Sequence, residues 1–363
     1  MRITDVGIIP VSVPFVEPFE IAGGRATHGN HVVVRLVSDD GQVGFGESAP
    51  MSSYSPQTQE AVVAEMNRLK GLLIGQDPFD LQAIHLSMKT AGADCFALAG
   101  LDIAMHDLAA RSLAIPICRL IGGSLAEGID LSWAIGFKPA EEMAREAKRY
   151  VAKGFRTVKL KVGDEPSLDL ERVAAVRQAI GRKVVLKVDA NQGYDLETAV
   201  RVGRRFLDHG VAVMEQPLPR SALSEMAKLR QKISIPIMVD ESLYSIADAS
   251  RILEEKAADV FNIKIMKPGG IRPSAKLAAV AEAAGMPCML GSMPELGIGT
   301  LAGLQLAVTS GIFTWGAELI GPWMFRAHLL KETAKLAKGK LMLPKGPGLG
   351  IDVDEKELVR YSC

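Results

Sequence analysis

Over the second two-thirds of the chain, short runs of β-branched and apolar residues alternate with helical stretches at a nearly constant interval. The runs are Asp130–Ile135, Thr157–Val162, Val184–Asp189, Val211–Glu215, Ile237–Asp240, Val260–Ile265, Pro287–Leu290 and Phe313–Leu319, separated by helical patterns such as Pro139–Lys153, Leu168–Ile180 and Ser274–Ala284. Equivalent positions recur after 26, 25 and 24 residues, from Asp189 to Glu215, to Asp240 and to Lys264. Eight strand–helix alternations at that period predict an α/β chain folded as a (β/α)8 barrel. An open doubly wound sheet is the competing architecture, but it usually carries a Gly-rich phosphate loop after its first strand, and none follows Asp130–Ile135. The helix after the eighth run is short or missing. Leu341–Tyr361 has no room in such a barrel, so the tail is expected to pack back on the N-terminal region.

That region reads as α+β. Thr4–Val13 is β-rich, and His31–Val37 and Gln42–Glu47 flank Ser38-Asp39-Asp40-Gly41, whose Asp-Gly pair signals a hairpin. Helical patterns follow at Gln57–Ile74, Asp80–Thr90 and Asp94–Leu113, before Pro116 and Gly122-Gly123 punctuate the chain. The expected organisation is a capping domain over residues 1–125, a barrel over 126–325 and a C-terminal segment, 326–363, that completes the cap. With 42 basic and 42 acidic residues the formal net charge is zero, which argues against a chain built to grip nucleic acid or anionic lipid. No apolar stretch is long enough to span a bilayer and no secretory leader is evident, so a cytoplasmic protein is expected. Cys95, Cys118, Cys288 and Cys363 have no CxxC spacing and suggest no disulfide framework.

Barrel active sites lie at the C-terminal ends of the strands. Here those ends read Lys159-Leu160-Lys161, Asp189-Ala190-Asn191, Glu215-Gln216-Pro217, Asp240-Glu241-Ser242 and Asn262-Ile263-Lys264. Three successive strands thus deliver one carboxylate each to one rim, where like charges repel unless a cation sits among them. Oxygen-only ligands suit Mg2+ or Mn2+, so Asp189, Glu215 and Asp240 are the candidate metal ligands. Strands two and six are four apart, so Lys161 and Lys264 approach a bound molecule from opposite sides. A lysine acts as a base near neutral pH only if its pKa is lowered, and Lys159, two residues from Lys161 on the same strand face, is a neighbouring cation able to do so. Asp169 and Asp195 read as helix caps, and His85 and His106 as structural residues.

These strand ends, with Lys264-Ile265-Met266-Lys267-Pro268-Gly269-Gly270, Gly44-Phe45-Gly46-Glu47 and Pro347-Gly348-Leu349-Gly350, resemble the muconate lactonizing enzyme subgroup of the enolase superfamily over essentially the whole chain. The resemblance implies an N-terminal capping domain over a modified (β/α)7β barrel, a divalent metal that is usually Mg2+, a small-molecule carboxylate substrate and a dimer or octamer. Sites of this superfamily use a Lys or His base with Mg2+ to stabilise an ene-diolate.

Within that subgroup, two opposed lysines permit racemisation or epimerisation, whereas one lysine suffices for cycloisomerisation. The stretch Gly291-Ser292-Met293-Pro294-Glu295 lacks the histidine that the resemblance would require of a mandelate racemase. At strand eight, Glu318-Leu319-Ile320 replaces the second acid of the Asp-x-Asp pair typical of dipeptide epimerases, and Glu318-Leu319-Ile320-Gly321-Pro322 looks like muconate cycloisomerases. Asp189-Ala190-Asn191-Gln192-Gly193-Tyr194 looks closer to the epimerases. Cycloisomerase-like chemistry is the expected activity, with epimerisation of a dipeptide or N-acyl amino acid as the alternative and an inactive binding homologue as the reading from another class. The cap segments Phe19–Asn30, hinged at Gly23-Gly24, and Met51–Pro56 are expected to set specificity. Arg25, His28, Ser53, Tyr54, Asn191, Glu295 and Glu318 are the candidate substrate contacts.

Overall fold

Two long strands, β1 (Ile3–Ile21) and β2 (Gly24–Ser38), pair antiparallel, and β3 (Val43–Ser48) adds on β2 to complete the cap sheet. The computed structural model describes residues 1–21, 24–51, 54 and 56–363. Helices α1 (Gln59–Leu69), α2 (Leu81–Thr90) and α3 (Cys95–Ser112) cover the sheet. Every residue of α3 from Phe96 to Ala110 is buried. A helix apolar all round is a core helix, which explains the broad hydrophobic face of this segment. Strand β3 lies directly against it, and a Cβ on Gly46 would sit 2.0 Å from the Gly100 carbonyl oxygen. The Gly-Phe-Gly sequence is what lets the sheet approach so closely.

After the short helix α4 (Ile117–Leu120) and strand β4 (Gly128–Asp130), seven parallel strands follow: β5 (Ser132–Ile135), β6 (Thr157–Lys161), β7 (Val185–Asp189), β8 (Val211–Glu215), β9 (Ile237–Val239), β10 (Val260–Ile263) and β11 (Cys288–Leu290). They lie in chain order in one sheet. The helices between them are α5 (Ala140–Ala152), α6 (Pro166–Ile180), α7 (Leu196–Asp208), α8 (Leu223–Lys232), α9 (Ile246–Glu254) and α10 (Ile271–Ala283), and α11 (Gly297–Ala307) follows β11. This is a modified TIM barrel with a curled sheet of seven parallel strands.

The expected eighth strand, Phe313–Leu319, is not a regular strand. Gly316, at φ +71°, donates its amide back to the Phe313 carbonyl and turns the first half of the segment on itself. Among the described residues, only Ala317 bridges both edges of the sheet, to Leu290 on one side and to Leu131 on the other. The first expected strand is also divided. Its start, β4, pairs with a hairpin of the tail, β12 (Leu336–Ala337) and β13 (Lys340–Met342), while β5 enters the barrel. Beyond the short helix α12 (Gly321–Met324), the tail ends in α13 (Glu355–Tyr361). It reaches the cap sheet, where Ser362 bridges Val11 and the Cys363 amide donates to the Pro10 carbonyl. Asp195 caps α7 by accepting from the Thr198 amide. Asp169 lies inside the first turn of α6 rather than at its cap, and reaches back to accept from the Gly163 amide and the Tyr194 hydroxyl. No helix among the described residues is long and apolar enough to cross a membrane.

Candidate active site

Side chains alternate across a strand, so each barrel strand sends every second residue inward. Stepping two residues along β8, β9, β10 and β11 leads from Val213 to Glu215, from Met238 to Asp240, from Val260 to Asn262 and from Met289 to Gly291. The earlier member of each pair belongs to one buried apolar cluster, closed by Trp315. The later members form the floor of the strand-end face. On β6 and β7 both members are polar, Lys159 with Lys161 and Lys187 with Asp189, and register sets Lys161 opposite Asp189 and Asp189 opposite Glu215.

The floor is a network of buried charges. Lys159 Nζ lies 3.0 Å from Asp189, 3.1 Å from Glu215 and 2.5 Å from Glu318. Lys161 Nζ donates to Asp189 Oδ2 and Asn191 Oδ1, each at 2.7 Å. Across the mouth, Lys264 Nζ is 2.7 Å from Asp240 Oδ2 and sits over the Tyr54 ring at 4.1 Å. Lys267 donates to Asp240 Oδ1 at 2.6 Å, Asn262 donates to Glu215 Oε1 at 2.7 Å, and Asn191 donates to Glu241 Oε1 at 2.9 Å. Lys187, with no exposed side-chain area, contacts Glu318 at 3.3 Å and donates to Met289 Sδ.

Burial opposes every charge here, and neighbours decide which way each group moves. Burial pushes the Glu215 carboxyl up to about 8, with the negative charge of Asp189 adding to the rise. Glu241 is pushed up to about 7 by burial and by Asp240. For Asp189 and Asp240 burial acts the same way, but Lys159 and Lys161 beside the first, and Lys264 and Lys267 beside the second, hold both well below the usual carboxylate range. Burial favours a neutral Lys264, yet Asp240 outweighs it and holds the ammonium above the usual lysine range, with Lys159 pulling the other way. The lowered lysine that the sequence suggested is therefore found at Lys187 and Lys267, where burial dominates.

A cation fits this floor on the chemistry of its donors. Asp189, Glu215 and Asp240 offer hard oxygen atoms from adjacent strands, and their mutual repulsion is visible in the raised Glu215. Glu241 Oε2 is buried without a hydrogen-bond donor, an orphaned acceptor at the edge of the network that a cation could satisfy. Among the described residues no three acids surround one point, because ammonium groups stand between them.

Lys159, Lys161, Lys264, Tyr54 and Glu318 line one cavity, with Phe19, Ile21, Met51, Met293 and Ile320 as its apolar walls. It holds about 40 Å3 of free space. Arg25 and His28 line a different cavity of about 250 Å3 on the cap side, which shares the walls Met51, Met293 and Pro294 with the first. Asn191 touches the network through Lys161 and Glu241. Glu295 is buried away from both cavities and accepts from Ser292 Oγ and the Met293 amide. Gly23 and Ser53 lie outside the described residues. His106 is buried with Nδ1 2.7 Å from the Asp102 carbonyl oxygen.

Sequence reasoning passed over Lys187, and quoted Lys267, Glu241 and Glu47 within their motifs without giving them a role. Lys187 was open to the same alternation argument as Lys159, since it stands two residues before Asp189. Glu241 follows Asp240, and both are buried at the network because β9 ends at Val239 and the chain is free to turn.

Two family models match the chain: "Mandelate racemase / muconate lactonizing enzyme, N-terminal domain" over residues 3–122 and "Enolase C-terminal domain-like" over 142–357. Muconate cycloisomerase 1 of Rhodococcus opacus is 34% identical over 364 residues, covering 97% of this chain and 97% of its own. The crystal structure of N-succinyl Arg/Lys racemase from Bacillus cereus superposes with a TM-score of 0.96 at 32% identity, covering 100% of this chain and 98% of that one. A dipeptide epimerase from Enterococcus faecalis, complexed with Mg and the dipeptide L-Leu-L-Tyr, superposes with a TM-score of 0.93 at 30% identity over 97% of this chain and 100% of its own.

Proposed function

Because the chain belongs to the mandelate racemase / muconate lactonizing enzyme family of the enolase superfamily, we propose that it is a metal-dependent isomerase that forms or protonates an enolate α to a substrate carboxylate, in the manner of a muconate cycloisomerase. The observation that carries this reading is one cavity lined by Lys161 from β6 and Lys264 from just beyond β10, four strands apart above the acid floor.

Asp189, Glu215 and Asp240 would hold the cation, Mg2+ with Mn2+ as the substitute. When bound, it supplies Lewis-acid stabilisation of the charge that develops on the substrate carboxylate. The residues of the chain do the rest. In cycloisomerisation a substrate carboxylate oxygen bonds to an alkene carbon, and the displaced electron pair moves to the carbon α to the other carboxylate. The Lys161 ammonium then delivers a proton there and becomes neutral. Asn191 and Asp189 fix the Lys161 Nζ, and Lys159 places its positive charge two residues away on the same face. Lys264, held by Asp240 over the Tyr54 ring, faces the opposite side of the same carbon and adds positive charge. The apolar walls keep water from competing for the proton.

Glu318 favours this reaction over dipeptide epimerisation. Its carboxylate is already engaged by Lys159 and Lys187, which leaves no free acid at strand eight for a substrate ammonium. Racemisation or epimerisation of an N-acyl amino acid is the second reading, favoured by the paired lysines. One neutral lysine takes the α-proton while the opposite ammonium returns one to the other face. In either case the substrate is a small carboxylate, with Arg25 and Tyr54 toward its far end and Glu295 supporting the loop above it. The enzyme works in the cytoplasm as a dimer or octamer, with residues 1–125 and the end of the tail forming the cap and 126–325 the barrel, against which the tail hairpin β12–β13 packs at β4.

The test is solvent-deuterium incorporation at the α-carbon of muconolactone, N-succinyl amino acids and dipeptides with added Mg2+. Exchange into muconolactone selects cycloisomerisation, and exchange into an amino acid derivative selects the second reading. No exchange in any of them would leave only a binding homologue.

A further inference from the structure

Glu47 is a cap residue with no exposed area, and its carboxylate is used up on the barrel. Its Oε1 accepts from the Leu296 amide and its Oε2 from the Gly299 amide, each at 2.7 Å, across 249 and 252 residues of chain. His31 Nδ1, on the neighbouring cap strand, lies 2.8 Å from Oε1, and its ring stands edge-on to Phe325 at 5.5 Å. Leu296 and Gly299 begin α11, and the chain just before them, residues 292–295, is the loop that leaves β11. Ser292, Met293 and Pro294 of that loop line the catalytic cavity, and Met293 and Pro294 also separate it from the cap-side cavity. From the inner side Glu295 grips the same loop through Ser292 and Met293. A Cβ on Gly299 would come within 2.7 Å of the Glu295 side chain and 3.4 Å of Glu47 Oε2, so the two acids and the helix start are packed as one unit.

We propose that Glu47 is a positioning residue: with His31 it ties the cap sheet to the start of α11 and thereby sets the 292–295 loop as the shared wall of the catalytic and cap-side cavities. The assignment rests on the isomerase reading above only for its kinetic consequence. Physically, a carboxylate acceptor holds a backbone amide about twice as strongly as a neutral one, and an unsatisfied buried amide is costly. Glu47 touches neither cavity, so it acts on substrate affinity through the wall and not on proton transfer.

The experiment compares the full-length wild type with Glu47→Gln, Glu47→Asp and His31→Gln by amide hydrogen exchange, and with the two Glu47 variants by steady-state kinetics on whichever carboxylate the deuterium screen identifies. For Glu47→Gln, exchange across residues 292–299 rises about tenfold or more while β6–β10 stay protected, and KM rises about tenfold with kcat within about threefold. Glu47→Asp recovers part of the protection. His31 itself lines the cap-side cavity, so His31→Gln is read by exchange alone, where it gives a smaller rise over 292–299, which keeps the test intact should Glu47→Gln fail to fold. Unchanged exchange over 292–299, a uniform rise through cap and barrel, or a fall in kcat with KM unaltered would overturn the proposal. A wild type inactive on every carboxylate would instead count against the isomerase reading, and the exchange measurement would still decide the role of Glu47.

Discussion

The inward-facing residues of the barrel form two layers only two residues apart on the same strands, and they solve opposite problems. In the lower layer Val213, Met238, Val260 and Met289 pack against Trp315 and owe their stability to apolar burial. Above them, in the upper layer, Asp189, Glu215, Asp240 and Glu318 face Lys161, Lys264 and Lys267, together with the ammonium groups of Lys159 and Lys187, which reach up from the lower positions of β6 and β7, all with almost no solvent contact. A buried ion network of this kind costs desolvation that apolar side chains of the same volume would avoid. A fold selected for stability alone has no use for it. The contrast teaches that the lower layer and the helix shell hold the barrel, and the upper layer is kept for chemistry.

The sharpest way to break that division is to remove one residue from each layer. Lys161→Ala should lower turnover by about 10^3-fold or more with the thermal transition close to wild type, because general acid–base groups contribute on the order of 10^2–10^4 and the site's electrostatics act alongside them. Turnover assays and circular dichroism on the same preparation check this, and retained turnover would remove Lys161 from its role. Met238→Ala should do the reverse. It should destabilise by about 2–5 kcal/mol in denaturant titration, with turnover per folded molecule within a few-fold of wild type.

A smaller effect separates the layers by pH. Glu215, at about 8, and Glu241, at about 7, bind protons more tightly folded than at their ordinary value of 4.5. The folded protein therefore holds more protons than the unfolded chain from about pH 4.5 to about pH 8, and its stability falls as pH rises through that window. Melting temperatures of metal-free protein should decline from pH 5 to pH 8, less steeply in Glu241→Gln, and added Mg2+ should raise them more at pH 8 than at pH 5. A flat or rising profile in the metal-free wild type would show that the acids are not crowded as described. The smallest change lies outside both layers: Asp195→Ala removes the cap of α7 and should lower the melting temperature slightly without altering turnover.

Much of this was legible in the sequence because both layers are written by local rules. Strand–helix alternation gave the barrel, and residues at strand ends gave the acids and the paired lysines, since Lys159, Lys161, Asp189, Glu215 and Lys264 need only position on a strand to be placed. The eighth strand was over-read because β-rich composition does not reveal the turn at Gly316, which reduces the closing edge to Ala317. Glu47 was beyond such rules altogether: its partners, Leu296 and Gly299, lie in another domain and contribute only backbone amides. Glu318 could be placed at the rim as a candidate substrate contact, but its engagement by Lys159 and Lys187 is a tertiary fact that its position at a strand end does not carry.

The central claim is that Lys161 exchanges a proton with the substrate's α-carbon over the acid floor. The direct measurement is α-proton exchange in D2O, followed by NMR, for wild type and Lys161→Ala with the same carboxylate, with Mg2+ present and after chelation. The account predicts exchange in the wild type that needs the cation and falls by about 10^3-fold or more in the variant. Exchange that persists in Lys161→Ala, or that is indifferent to chelation, would contradict it.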